Sequence, residues 1–153
     1  MGVTHAFVST VDDDPNTTLV RPSNWNAGHV IGSLDKGVVG IVVDGGGGSI
    51  AAGIKGSVQA SCSGTITSWT LLADQAGSVV VDVWKDVIGN YPPTVTDTIT
   101  GSAKPTLSSA VSASSSTLTG WTTSITSGDV FRFNVDSISD IKMFTLELHY
   151  TKT

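Results

Sequence analysis

The chain has 153 residues, which is enough for one domain with a true hydrophobic core and an appended segment. Its net charge is −5, and its eight Lys and Arg residues are scattered, so a nucleic-acid surface is excluded because phosphate binding needs clustered basic side chains. No run approaches the roughly 18 apolar residues of a membrane-spanning helix. We therefore expect neither a nucleic-acid nor a membrane partner.

Residues 1–36 differ in character from the rest of the chain. They contain an acidic triplet, two prolines and isolated apolar pairs that follow neither a helical nor a strand period. A segment of this kind cannot bury its own apolar side chains. We therefore predict an extended N-terminal arm that docks on another surface. The residues expected to anchor it are Phe7, Leu19, Val20, Arg21 and Trp25.

From residue 37 to residue 153 the pattern predicts strands and no helix. Runs of β-branched and aromatic residues, bounded by turn formers, are typical of paired strands. The predicted strands lie at 37–43, 52–60, 66–73, 79–84, 95–100, 106–111, 117–125, 130–136 and 141–151. We expect a tight turn at 74–77, which would make 66–84 a hairpin, and a polar loop at 112–117.

The last two predicted strands have the clearest period-two pattern. Apolar side chains occupy every second position and should face the core: Phe131, Phe133, Val135, Phe144, Leu146, Leu148 and Tyr150. About eight strands at this spacing favour a jelly-roll-like antiparallel β-sandwich. The predicted fold is therefore all-β, with the arm at 1–36 and the sandwich at 37–153.

The sequence contains no strong motif for catalysis, phosphate binding or metal binding. The tetraglycine at 45–48 lacks the helix that follows a phosphate-binding loop. The acidic triplet at 12–14 lacks the alternating ligands of a calcium loop. His5, His29 and His149 are not at metal-ligand spacing. We therefore expect no catalytic residue, no cofactor site and no metal site, and we do not expect an enzyme.

Three aromatic residues are candidates for contact with a partner. If Asp82 faces water, period two places Trp84 on the same outer face. An exposed Trp beside an Asp can anchor a subunit interface, the reading we favour, or stack on a sugar ring. Trp121 is expected at the centre of a strand, packed in the core. In a glycan-binding reading, Tyr91 and Trp121 would join Trp84 as stacking residues.

Several stretches of the sequence resemble a known family. The arm string TTLVRPSNWNAGHVI is similar to an N-terminal segment of small structural proteins of tailed bacteriophages and prophages. The strings DGGGGSIAAGIKG, SWTLLADQAGSVVVDVWKD, NYPPTVTDTITGSAKPTLSSA and SGDVFRFNVDS are similar to a β-sandwich module of the same virion proteins. The resemblance implies a homotrimer on the virion exterior, made in the host cytoplasm, without a catalytic site.

This resemblance favours one function and leaves a second open. The chain lacks a long fibrous shaft, so we expect a compact capsid decoration (cement) protein rather than a tail fibre. Its partners would be further copies of itself and the major capsid protein or another virion protein. Cement binds and stabilises only the assembled lattice. The alternative is a tail-fibre or fibre-tip receptor-binding module that recognises a host surface glycan.

Overall fold

The computed structural model describes residues Gly2–Val3, Pro15, His29–Val30 and 35–153. The chain divides into two units, Met1–Asp35 and Lys36–Thr153. In the first unit, strand β1 (Gly2–Val3) pairs antiparallel with β2 (His29–Val30).

The second unit is a single antiparallel sheet of seven strands. These strands are β3 (Lys36–Asp44), β4 (Gly53–Gln59), β5 (Gly64–Val87), β6 (Thr106–Ser115), β7 (Ser124–Ile125), β8 (Asp129–Ser139) and β9 (Met143–Lys152). The strand order is β3-β9-β5-β8-β4, and both β6 and β7 pair with β5. Two short 3-10 helices, Ile88–Asn90 and Val95–Asp97, lie between β5 and β6. The sheet curls into a half-barrel, so the predicted all-β, sandwich-like fold is confirmed.

Strand β5 runs unbroken for 24 residues, and the tight turn predicted at 74–77 is wrong. Residues 64–73 pair with β9, whereas 78–87 pair with β8. Between the two halves, Gly77 packs closely against strand β8. A Cβ atom at this position would lie 2.5 Å from the Ser139 carbonyl oxygen. The turn-forming residues therefore make a corner at which one strand changes partner and the sheet folds over its core.

The core lies on the inner face of this curled sheet. Phe131, Phe133, Leu146 and Leu148 are all fully buried, which confirms the period-two prediction for β8 and β9. On β8 the register shifts at Asp136, an extra residue that forms a β-bulge. The inward alternation is reset there, and the strand bends with the sheet.

Two further strand predictions and one loop prediction fail where the chain finds other partners. Residues 117–125 contain only the two-residue strand β7, because the backbone of Thr122 bonds to Ile99 and Thr123 bonds to Ile66. The strand predicted at 95–100 is a 3-10 helix followed by one bridge between Thr98 and Trp84. The loop predicted at 112–117 is strand as far as residue 115, because the first half of β5 offers it an edge.

Residues 88–105, which we call the cover loop, follow the edge of β5 and fold over its outer face. Two backbone hydrogen bonds join this loop to β5. Ile99 N donates to Val83 O at 2.9 Å, and Val81 N donates to Pro105 O at 3.0 Å. On the neighbouring strand, Arg132 Nη1 donates to Pro93 O at 3.0 Å. Residues 81–84 of β5 are buried on both faces.

Candidate functional site

Trp84 is not on the surface, so its predicted role in an interface or a sugar site is wrong. The cover loop leaves it only 8% exposed. Period two correctly placed Trp84 on the outer face of β5 with Asp82, but that face meets protein instead of water. Its indole Nε1 has no acceptor in hydrogen-bond geometry among the described residues, yet it lies near enough to Asp82 to help lower the pKa of that carboxyl.

Asp82, predicted to face water, is 1% exposed and forms the centre of a polar cluster. Thr98 Oγ1 donates to Asp82 Oδ1 at 2.6 Å, and Thr100 Oγ1 donates to the same oxygen at 2.8 Å. Burial by itself raises the pKa of Asp82, but the hydrogen bonds from Thr98, Thr100 and Lys104, together with the nearby indole N–H of Trp84, outweigh it, and the pKa is lowered. The carboxylate is thus kept ionised inside the protein.

Lys104 supplies the countercharge to this cluster. Its Nζ lies 3.0 Å from Asp82 Oδ2 and 2.6 Å from Asp136 Oδ2. The hydrogen bond to Asp136 is the main reason that the pKa of Lys104 is raised. All the hydroxyl and ammonium donors come from the cover loop, and both carboxylates come from the sheet. The cluster fastens the loop to the sheet, and we assign it a structural role.

The other two aromatic candidates lie in different environments. Trp121 is half-buried in an irregular segment, not in a strand as predicted, and its Nε1 donates to Ala103 O at 2.8 Å. Tyr91 is 57% exposed at the start of the cover loop. It shares that region with other exposed apolar side chains, Val87, Ile88 and Val95. Of the three predicted stacking residues, only Tyr91 presents most of its surface to solvent.

The predicted anchors of the arm cannot be placed. Phe7, Leu19, Val20, Arg21 and Trp25 lie outside the described residues. Their docking role stays a prediction.

The outer face of β3, β9 and the first half of β5, which we call the open face, carries two grooves. The register sets Val38 beside His149, Gly40 beside Glu147 and Val42 beside Thr145. A groove of about 220 Å³ lies along β3 and β9, where Gly40 has no side chain between Val38 and Val42. Both valines are exposed, by 54% and 63% respectively.

The second groove, of about 580 Å³, lies across β9, β5 and β6. Hydroxyl side chains dominate its lining: Ser68, Thr70, Ser114, Ser115, Ser116 and Thr117. Trp69 and His149 complete it, and His149 Nε2 lies 3.1 Å from Thr70 Oγ1 and 3.6 Å from Glu147 Oε2. Such a lining offers hydrogen bonds to a neutral polar ligand.

Comparisons with protein-family models, with curated proteins and with solved structures find no match. Within the described ranges, no group of three His, Cys, Asp or Glu side chains is placed to hold a metal ion. No helix of that part of the chain is long and apolar enough to cross a membrane.

The hydroxyl groove was not predicted from the sequence. Its residues come from β5, β6, the two positions after β6, and β9, and 112–117 was interpreted as a polar loop. The one available signal was the alternation in β9, which placed Glu147 and His149 on the outer face. That signal identifies the face, but it does not reveal that β6 lies beside it.

Proposed function

We propose that the chain is a non-enzymatic structural protein of a tailed-phage virion: a trimeric decoration protein on the capsid exterior, attached through residues 1–36. The observation that carries the proposal is the completeness of the core within the Lys36–Thr153 unit. The buried apolar cluster of the described residues runs from Val39 to Tyr150 and includes side chains from both halves of the curled sheet. A domain with a core of its own is what attachment through a separate arm requires.

The surface of this domain also supports a role in assembly. Large apolar side chains are exposed on the open face and at the start of the cover loop: Val38, Val42, Leu72, Val87, Ile88, Tyr91 and Val95. Exposed apolar groups that are clustered mark contact surfaces. Trimer contacts and lattice contacts would cover them. The resemblance of the strings in 17–31 and 44–137 to virion proteins supplies the class of partner.

The arm is tested by truncation. A chain starting at residue 37 should remain folded, with the far-ultraviolet circular dichroism of a β-protein and cooperative unfolding, but it should not join particles. The matched point variants are Trp25→Ala in the arm and Thr96→Ala on the exposed cover loop. We expect W25A to lower the copy number on purified virions and T96A to leave it unchanged, as measured by gel densitometry. Truncated protein on particles at the wild-type copy number would refute attachment through the arm.

A receptor-binding module is the second candidate, and the hydroxyl-lined groove is the observation that favours it. The groove offers hydrogen-bond partners for sugar hydroxyls, and Tyr91 offers a separate exposed ring. A fibre-tip protein would be present in few copies per virion and would bind host cells when purified. Loss of that binding in His149→Ala, with the fold intact, would favour this function over decoration.

A further inference from the structure

Three strands of the described sheet, besides the two-residue β7, pair on one side alone: β3, β4 and β6. Exposed edges invite pairing with other chains, and proteins usually protect them with bulges, charges or irregular backbone. Strand β4 has a register shift between Ile54 and Gly56, and the residue at the shift is Lys55. Strand β6 has two register shifts and a left-handed residue, Ser109. Both edges are protected.

Strand β3 has none of these protections. Its nine residues pair with β9 without a register shift, from Lys36 opposite Thr151 to Asp44 opposite Met143. Its sequence is KGVVGIVVD, so it carries no charge between its ends and no proline. The side chain of Ile41 points toward Gly56 of β4, but β3 and β4 are not hydrogen-bonded neighbours. This edge is regular, apolar and suited to pairing.

The sequence of β3 is also complementary to itself. In an antiparallel pair of two copies with a two-fold axis at Gly40, Lys36 of each copy faces Asp44 of the other. Val38 then faces Val42 of the second copy, and both lie on the open face. The two residues of each facing pair are an even number of positions apart, so they direct their backbone groups to the same side. Charge, side-chain face and hydrogen-bond parity therefore agree in one register.

We propose that β3 pairs antiparallel with β3 of a second copy in this register, so that the two sheets continue across a two-fold axis. The contact is isologous. It covers Val38 and Val42, which are more than half exposed in one copy. Lys36 donates to Thr151 Oγ1 among its contacts, and Asp44 Oδ1 accepts from Gly46 N. The proposed pairing adds the second copy's residue to these partners, since an ammonium has three protons and a carboxylate has several lone pairs.

This contact goes beyond the proposed function and does not depend on it. It concerns the purified protein, whereas attachment through the arm is read from virions. It uses one edge of each copy, so it would add to the three-fold contact of a decoration trimer. In a lattice of such trimers, it would link neighbouring trimers to each other.

The register is tested with single cysteines in the full chain, in a Cys62→Ser background. Val38→Cys protein mixed with Val42→Cys protein should form a disulfide-linked dimer under mild oxidation, seen on a non-reducing gel. Each variant alone should not, because residues 38 of the two copies would be separated by about 13 Å along the strand. Disulfides need Cα atoms within roughly 7 Å. The link in the mixture can only be intermolecular, since each chain has one cysteine.

A second pair of variants tests the edge itself. Val42→Lys places a charge in the proposed contact, and Ile54→Lys places one on the protected edge of β4, where Ile54 is 49% exposed. Analytical ultracentrifugation of the C62S background should show a two-fold association that V42K loses and I54K retains.

Three results would overturn the proposal. They are disulfide linkage in the mixture no faster than in the separate variants, linkage of the Val38→Cys protein to itself, and equal association of V42K and I54K. The first would leave this edge to a different partner chain, and the second would establish another register.

Discussion

Lys104 Nζ lies 3.0 Å from the Oδ2 atom of Asp82, a carboxylate that is 1% exposed, and it reaches that atom from the far end of the cover loop. The same ammonium lies 2.6 Å from Asp136 on the adjacent strand. One loop residue therefore joins two strands of the sheet. The cluster explains why the outer face of β5 is protein interior at Trp84.

Replacing the buried carboxylate should destabilise the domain without changing its shape. Asp82→Asn keeps an acceptor for Thr98 and Thr100 but removes the charge that faces Lys104. We expect a loss of about 2–3 kcal/mol in the free energy of unfolding, since hydrogen bonds to charged groups are worth this much. Urea denaturation measures it. The matched control is Glu147→Gln on the open face, which should change stability by less than about 0.5 kcal/mol.

The contribution of Asp82 should depend on pH in a defined direction. Its pKa in the folded protein is below the ordinary value of 3.8. Its stabilising effect is therefore complete above pH 3.8 and is lost as the pH falls through the lowered value. The stability difference between wild type and D82N should shrink in strong acid. A difference that stays constant from neutral pH into strong acid would contradict an ionised Asp82.

The loss of folding stability at high pH should depend on Lys104. Its pKa is raised above the ordinary value of 10.5, mainly by its hydrogen bond to Asp136. This contribution is complete below pH 10.5 and is lost as the pH rises through the raised value. Lys104→Met should therefore lower stability at neutral pH and flatten the alkaline fall in stability that wild type shows. If stability falls equally with rising pH in wild type and in Lys104→Met, the ion pairs of Lys104 with the two carboxylates do not stabilise the protein.

Trp84 and Tyr91 should respond in opposite ways to truncation. Trp84→Ala empties a space beneath the cover loop and should cost about 3–5 kcal/mol of stability, as large core truncations do. Tyr91→Ala removes a side chain that is 57% exposed and should change stability by less than about 0.5 kcal/mol. Thermal and urea unfolding of both variants measure this contrast. A small loss of stability in W84A would mean that the cover loop does not bury Trp84 in the native protein.

Alanine substitutions at two glycines should also have contrasting effects on stability. A Cβ atom on Gly40 would collide with the carbonyl oxygen of Leu146, which belongs to the backbone of β9 and cannot rotate away. Gly40→Ala should therefore cost about 1–3 kcal/mol, the usual effect of overpacking. Gly89 has open space around its Cβ position and an ordinary backbone conformation, so Gly89→Ala should leave stability nearly unchanged. The denaturation midpoints of the two variants give the comparison.

Local alternation was enough to predict much of the sheet. The period-two pattern of β8 and β9 assigned Phe131, Phe133, Leu146 and Leu148 to the core, and all four are fully buried. Such assignments succeed because successive side chains of a strand point to opposite faces whatever the neighbouring strands are. The same logic placed Trp84 and Asp82 together on one face of β5.

Only the tertiary structure decided what covers each face and where strands change partner. Trp84 is buried because Thr98, Thr100 and Lys104, 16 or more positions beyond Asp82, return to satisfy that carboxylate. Residues 74–77 have the composition of a turn, yet they continue a strand because β9 and β8 hold its two halves. Periodicity records the direction of a side chain, whereas burial depends on which distant segment packs against it.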